Sequence, residues 1–333
     1  MNNQLTKKLG IAIPIIQAPM GGTGFVTRLA AAVCNSGGLG MLHLWRADIS
    51  TLRGQIRELQ RLTHKPFAVN LNLQFPQAER LEACLQEGVK VISFFWGDPG
   101  DMVATAQQGG AVVMHTVGSV KESLTSMTRG VDIIVAQGWE AGGHVRGKVS
   151  TMALVPAVVD AVAPLPVVAA GGIADGRGMA AALALGASGV WIGTRFLASR
   201  EVALHPRYRD RLLQAGEDDT VYLENLYDIG WPDAPHRILR NKVVDAWEEA
   251  GRPNSGQRPG EGEVVARSDT LGEVVRYRPF MASADVEGDI ETLPFWCGQG
   301  VGLVKKIMPA AEILREIHGD ALKVLGSLAD TLA

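Results

Sequence analysis

Eight short apolar runs, each followed by a polar or glycine-rich turn, constrain this chain more than any other feature. They are IPIIQAPM (13–20), GGLGMLH (37–43), FAVNLNL (67–73), VKVISFFWG (89–97), GAVVMHTV (110–117), VDIIVAQG (131–138), PVVAAGGI (166–173) and GVWIGTRF (189–196). Segments with helical periodicity lie between them at 48–63, 77–88, 119–130, 152–162 and 176–187. Continuous rather than alternating apolar runs suit strands buried on both faces, and strands alternating with helices predict a parallel sheet with helical crossovers. The same alternation permits an open doubly wound sheet. Eight strands in the first 200 residues, with polar residues clustered at their ends, favour an α/β fold of the closed (β/α)8 barrel type.

The polar residues fall just past the apolar runs. Gln17 and Met20 follow the first, Asn70 and Asn72 the third, and His115 the fifth; Gln137, Glu140 and His144 follow the sixth. Gly171-Gly172 and Gly193-Thr194 end the seventh and eighth. A barrel opens all eight C-terminal strand ends onto one face, so one site would collect residues scattered over the whole repeat.

After residue 200 the rhythm breaks. Residues 201–294 read as a smaller, mostly helical subdomain inserted after the eighth strand, with a mobile Gly/Pro-rich loop, GRPNSGQRPGEGE, at 251–263. Residues 295–333 hold a glycine-rich turn and an amphipathic helix that returns to the barrel wall. The expected division is therefore a barrel over 1–200, a lid over 201–294 that shapes the substrate pocket, and a C-terminal segment over 295–333.

Composition narrows the function classes. With 47% apolar and 20% charged residues the chain can bury a large core, and a net charge of −3 without a basic run argues against nucleic acid or an anionic membrane as main partner. No secretory leader or membrane-length apolar stretch is visible, and three widely separated cysteines, Cys34, Cys84 and Cys297, suit buried packing in a reducing cytoplasm. No set of His and carboxylates has the spacing of a metal site.

Gly171-Gly172 followed by Asp175 as an N-cap, and Gly193-Thr194 before a short helix, are the arrangement in which barrels bind phosphate: glycine lets the backbone approach, and free N–H groups face the anion. The glycines also suit plain tight turns. A Walker motif is absent, and GGTGFVTR lacks the downstream acidic residue of a dinucleotide site. Asn70 and Gln137 can read the edge of a heterocycle, and Met20 can pack on a planar ring. Flavin mononucleotide (FMN) fits this set.

These motifs, QAPMGG near the N-terminus, AQGWEAGGH after strand six, AAGGIADGRG after seven and GVWIGTRFLAS after eight, resemble the nitronate monooxygenases, FMN-dependent barrels whose motifs are shared by the flavin-type enoyl-acyl-carrier-protein reductases. The resemblance implies that Met20 and Gly21 meet the flavin ring. Asn70 and Gln137 would bind its polar edges, and Gly171, Gly172, Gly193 and Thr194 its phosphate. Gln299 and Gly300 would complete the pocket. It places His144 at the reactive face as catalytic residue. His115, by its place at the end of strand five, points towards the barrel mouth, either as a substrate contact or as support for the residues that line it. The implied reaction is oxidation of an alkyl nitronate by O2 to a carbonyl compound and nitrite. Alternatives on the same scaffold are NAD(P)H-dependent reduction of an enoyl thioester or quinone, and flavin binding without turnover. Glu140 would orient His144 or face solvent, His43, Trp96, Trp139 and Trp191 would pack, and Arg200, Arg207, Arg209 and Arg211 would form either a carrier-protein surface or a solvated helix face.

Overall fold

The computed structural model describes residues 3–21, 26–269 and 272–332; residues 22–25 of the GGTGFVTR run lie outside them. Eight parallel strands form the barrel: β1 (Ile15–Gln17), β2 (Gly40–His43), β3 (Phe67–Asn72), β4 (Val91–Phe95), β5 (Val112–Val117), β6 (Ile133–Gln137), β8 (Val167–Ala170) and β9 (Gly189–Ile192). The two-residue β7 (Gly143–His144) lies in the loop after the sixth. The ladder runs β1-β9-β8-β6-β5-β4-β3-β2. It closes where Leu39 donates to Ile15 at 3.0 Å and accepts from Gln17 at 2.9 Å.

Strand parity explains the uninterrupted apolar runs. Ile16, Met41, Ala68, Val91, Met114, Val135, Val168 and Trp191 fill the barrel interior. Their neighbours Leu42, Val69, Ile92, Val113, Ile134, Ala169 and Val190 pack outward beneath the helices. Both faces are dry, so both parities must be apolar. The N-terminal helix Gln4–Leu9 sends Leu5 and Leu9 into the interior cluster and plugs the lower end.

Helices follow the strands at Val26–Asn35, Ile49–Leu62, Ala78–Gln86, Met102–Gln108, Val120–Thr128, Thr151–Val162 and Gly176–Ala184. Asp48, Ser119 and Asp175 cap three of them through side-chain oxygens. The eighth position on the wall is taken by the C-terminal helix Ala310–Leu332, which packs on Gly176–Ala184 and Val26–Asn35. Gly176 permits this, since a Cβ there would lie 2.5 Å from the Ala321 nitrogen. The returning helix thus ties the end of the chain to its beginning.

The segment between β9 and that helix is mixed rather than mostly helical. It holds helices Pro206–Gln214 and Lys242–Glu249, an antiparallel pair β10 (Thr220–Leu223) and β11 (His236–Leu239), and a second small sheet of Val264–Ser268, Gly272–Val275 and Glu287–Gly288. The stretch DIGWPDAPHRILRNKVVDAWEEAG does not form one helix: Pro232 and Pro235 interrupt its first half, His236–Leu239 pairs as a strand, and Asn241 caps the helix that follows by accepting from Val243 and Val244. Strand β11 also pairs with β7, Arg237 opposite Gly143 and His236 opposite His144, so the insertion extends a barrel loop into a sheet.

The Gly/Pro-rich stretch 251–263 is pinned rather than left as a mobile loop. Arg258, buried within it, donates to Asp228 at 2.7 Å, to the Leu226 carbonyl at 2.7 Å and to Glu261, and lies 4.4 Å over the Tyr277 ring. Removing one partner of a buried ion pair strands the other charge. Arg258→Ala should therefore lower stability in urea unfolding by about 3–5 kcal/mol, against less than about 1 kcal/mol for Arg267→Ala, whose pair with Glu273 is exposed.

Candidate active site

Strand parity also decides which polar side chains reach the barrel mouth. His43, Asn70, Asn72 and Gln137 continue the interior parity of Met41, Ala68 and Val135, so they point inward at the open end. Asn70 Nδ2 donates to the Ser93 carbonyl at 3.2 Å, which holds its amide against the next strand. Asn72 Oδ1 accepts from Gln74, while its Nδ2 is buried without a partner. Gln137 spends both ends of its amide on the following loop, donating to the His144 carbonyl at 3.0 Å and accepting from Arg146 N at 3.2 Å. It supports the strand that carries His144.

His115 has the opposite parity. It lies between the inward Met114 and Thr116 and turns outward, where Nδ1 meets Ser126 Oγ of helix Val120–Thr128 at 2.7 Å. The expectation that it touches substrate is corrected here: position near a strand end says nothing about face, and one residue of offset moves a side chain to the other side of the sheet. Of the arginines near 200–211, Arg207 and Arg211 both pair with Glu291, and Arg209 donates to Val202 O.

Glycines bring the loops after β6, β8 and β9 together with the C-terminal turn. A Cβ at Gly142 would fall 2.2 Å from the Cys297 carbonyl carbon, and one at Gly298 would fall 2.6 Å from Glu140 O. Backbone bonds lock this seam, with Gln299 N donating to Glu140 O and Gly298 N to Thr194 Oγ1, both at 3.0 Å. Glu140 neither orients His144 nor faces solvent freely. Its carboxylate accepts from Thr151 N at 2.9 Å and caps helix Thr151–Val162, while Thr151 Oγ1 reaches Gly171 O at 3.0 Å. Gly171 and Gly172 have φ of 105° and 70°, conformations that favour glycine.

A Cβ at Gly300 would lie 3.1 Å from Gly172 O. Gly171, Gly172, Gly193, Thr194, Gln299 and Gly300 therefore converge on one glycine-lined cradle. The short helix Thr194–Leu197 begins there without a side-chain cap, so its first N–H groups remain for an anion. Met20 is buried, and Gly21 lies beside His43, where a Cβ would be 3.7 Å from Cε1. The cradle, the unpartnered Asn72 amide and the imidazoles described next fit a phosphate-bearing planar cofactor.

An aromatic wall completes the mouth. The His144 ring stacks on Trp231 at 3.8 Å and lies near-parallel to Trp296 at 5.4 Å. Trp96 meets it edge-on at 6.3 Å, and Trp231 in turn contacts Trp45 at 5.1 Å and Trp96 at 5.3 Å. His144 Nε2, His236 Nε2 and Trp231 Nε1 are buried without partners. Trp96, read from sequence as packing, is part of this wall, whereas Trp191 does fill the barrel interior. Trp231, His236 and Trp296 carry no recognisable motif; they sit in the insertion and its exit, and only folding brings them to His144.

The three imidazoles at the mouth are held neutral. Burial first, then the positive charge of Arg46, lowers His43 to about 4; burial lowers His236 to about 4. Burial, then His236, His43 and Arg46, pushes His144 well below its ordinary value. His43 Nε2 accepts from Trp45 Nε1, which requires that nitrogen to be unprotonated. The sign of the pH effect follows. Between pH 6.5 and about 4 the unfolded chain binds protons at these sites and the folded chain does not, so stability falls as pH drops through that window. Each site adds a slope of about 1.4 kcal/mol per pH unit. Urea unfolding from pH 7 to 4.5 should show the decline, and His43→Gln should make it shallower by one such increment; an unchanged slope would refute a neutral His43.

Relatives of known name share this architecture. A dehydrogenase of Rhodococcus jostii, acting by its name on (3aS,4S,5R,7aS)-5-hydroxy-7a-methyl-1-oxo-octahydro-1H-indene-4-carboxyl-CoA, is 36% identical over 98% of both chains. A nitronate monooxygenase of Paraburkholderia phytofirmans is 30% identical over 93% of this chain and 92% of its own. The structure of FabK from Thermotoga maritima superposes with a TM-score of 0.85 and 34% identity, covering 99% of each chain. Its family, like the nitronate monooxygenases, consists of flavin-dependent oxidoreductases. The nitronate monooxygenase family model matches residues 2–79 and 74–320, and with the barrel, the cradle and full-length relatives in agreement, the chain belongs to that family.

Proposed function

We propose that this protein is an FMN-dependent oxidoreductase acting on a bulky acyl thioester of the coenzyme A type, at a carbon made acidic by the neighbouring carbonyl. The observation that carries the reading is the wall around His144. Trp45, Trp96, Trp231 and Trp296 make the mouth apolar, and the imidazole among them is neutral with Nε2 unpartnered. Such a wall suits a large hydrocarbon group better than a small nitronate anion, which would lose its hydration among aromatic faces. The full-length similarity to a CoA-thioester dehydrogenase and to FabK supports the same substrate class.

In this reading the cradle of Gly171, Gly172, Gly193, Thr194 and Gly300 holds the FMN phosphate, and Asn72 Nδ2 offers a donor to the ring edge beside Asn70. When bound, the flavin supplies a two-electron acceptor or donor. His144 takes the proton from the acidic carbon on oxidation, or returns it on reduction. Trp231 and Trp296 fix the imidazole plane, and Gln137 fixes the strand beneath it. The water-poor pocket keeps the imidazole neutral, so its lone pair is free to receive the proton. Nitronate oxidation by O2 is the second reading, favoured by the family model and by the ability of the same base to meet a nitroalkane.

Anaerobic mixing of flavin-loaded protein with cyclohexanecarboxyl-CoA, with propyl nitronate, and with NADH or NADPH, followed by flavin absorbance, separates these readings. Bleaching by the saturated thioester, or by a nicotinamide with reoxidation by the unsaturated thioester, supports the proposal. Bleaching by the nitronate alone, with nitrite released in air, replaces it by the second reading. His144→Ala should keep its flavin and lose roughly 10²–10⁴-fold in turnover; wild-type turnover in that variant would remove His144 from the mechanism.

A further inference from the structure

The mouth holds a lone pair that nothing in the chain uses. His236 is fully buried on β11, and its Nδ1 lies 3.0 Å from the Ala234 carbonyl oxygen. A carbonyl oxygen can only accept, so Nδ1 carries the ring proton and Nε2 is left as a bare acceptor. That nitrogen is buried without a partner. The rings around it supply no donor. Tyr227, at 6.1 Å, gives its hydroxyl proton to Thr292 O and accepts from Asn241 Nδ2. His144, at 5.9 Å, and Trp296, at 5.5 Å, make ring contacts with His236 and no hydrogen bond to its Nε2.

Register puts this acceptor beside the base. His236 stands directly opposite His144 in the antiparallel pair of β11 and β7, so the two side chains share one face of the small sheet. Their neighbours Arg237 and Gly143 belong to the other face, where Arg237 donates to Trp139 O and Thr220 Oγ1. On the shared face both Nε2 atoms are unpartnered, and the ring centres are 5.9 Å apart. A buried acceptor without a donor costs the fold the desolvation of that group, and a ligand that brings a donor recovers it. At this spacing one carbon–carbon–oxygen unit meets both imidazoles, its carbon at His144 and its oxygen at His236.

We infer that His236 Nε2 accepts a hydrogen bond from a substrate hydroxyl carried on the carbon next to the one that His144 deprotonates. The inference rests on the thioester reading for its carbon acid and adds the residue that recognises the acyl group. A hydroxyl suits the position because it brings one proton and no charge, whereas an ammonium would have to shed its water among aromatic faces. The bond from Nδ1 to Ala234 O fixes the tautomer, so the acceptor is in place before substrate arrives. An acyl group without that hydroxyl leaves Nε2 stranded, and a site built this way discriminates against the unhydroxylated analogue.

The test compares 2-hydroxycyclohexanecarboxyl-CoA, as each diastereomer, with cyclohexanecarboxyl-CoA in anaerobic reduction of the flavin-loaded protein. In the wild type kcat/KM should favour one hydroxylated diastereomer at least ten-fold, roughly the cost of one stranded buried acceptor. His236→Phe keeps a flat ring without an acceptor and should abolish that preference. His236→Gln, whose side-chain oxygen can accept, should retain most of it. Equal losses on both thioesters in His236→Phe would show a merely structural residue and overturn the inference, as would a wild type without preference. A second comparison, of 2-nitroethanol with nitroethane, places the hydroxyl on the same neighbouring carbon. If neither thioester reacts but the nitro pair shows a preference that His236→Phe removes, the thioester reading fails and the acceptor stands. Equilibrium perturbation of the flavin absorbance by each compound gives a readout independent of turnover. A wild type that binds hydroxylated and plain analogues equally, or binds none of them, overturns the inference.

Discussion

The seam between the loop after β6 and the C-terminal turn brings two backbones together with no room for a side chain between them, and the site is assembled around it. Gly142 meets Cys297 and Gly298 with no room for a Cβ on either side, and Gln299 N and Gly298 N donate across the joint to Glu140 O and Thr194 Oγ1. Through these contacts the loops after three barrel strands and a turn more than 100 residues later share one rigid backbone. Glu140 extends the joint by capping helix Thr151–Val162, and Thr151 passes it on to Gly171. A cradle made of N–H groups can bind an anion only if those groups cannot rearrange, and this network prevents it.

The insertion then gives the mouth its chemical character. By pairing β11 with the two-residue β7 it fixes His144 opposite His236, and it contributes Trp231 to the face of the imidazole. Dry aromatic walls keep His43, His144 and His236 neutral, because burial disfavours the charged form and each imidazolium would repel the next. Arg46 is the nearby permanent cation, and it stays outside the wall, stacked on Trp45.

Much of the scaffold was legible in the linear chain. Apolar runs bounded by glycine locate all eight barrel strands within a few residues, and Gly171-Gly172 stand out because φ > 0 leaves glycine as its mark. Helices Val26–Asn35 and Met102–Gln108 were missed, the second being only seven residues long. The insertion was read as helical because its apolar residues suit either period when proline-broken stretches are short. His115 was assigned to the mouth from its place along the strand, although its neighbours Met114 and Thr116 take the inward face.

What the sequence determined by itself is the barrel and its cradle, since both depend on local requirements: two-sided burial along each strand, and backbone conformations that need glycine. Tertiary structure alone decided which side chains surround His144. Trp45, Trp231, His236 and Trp296 lie in separate segments, and the charges and rings that set the imidazole's proton affinity come from residues distant in the chain. Proton affinity and pocket shape are sums over neighbours in space, and those neighbours exist only once β11 has docked on β7 and the C-terminal turn has closed over Gly142.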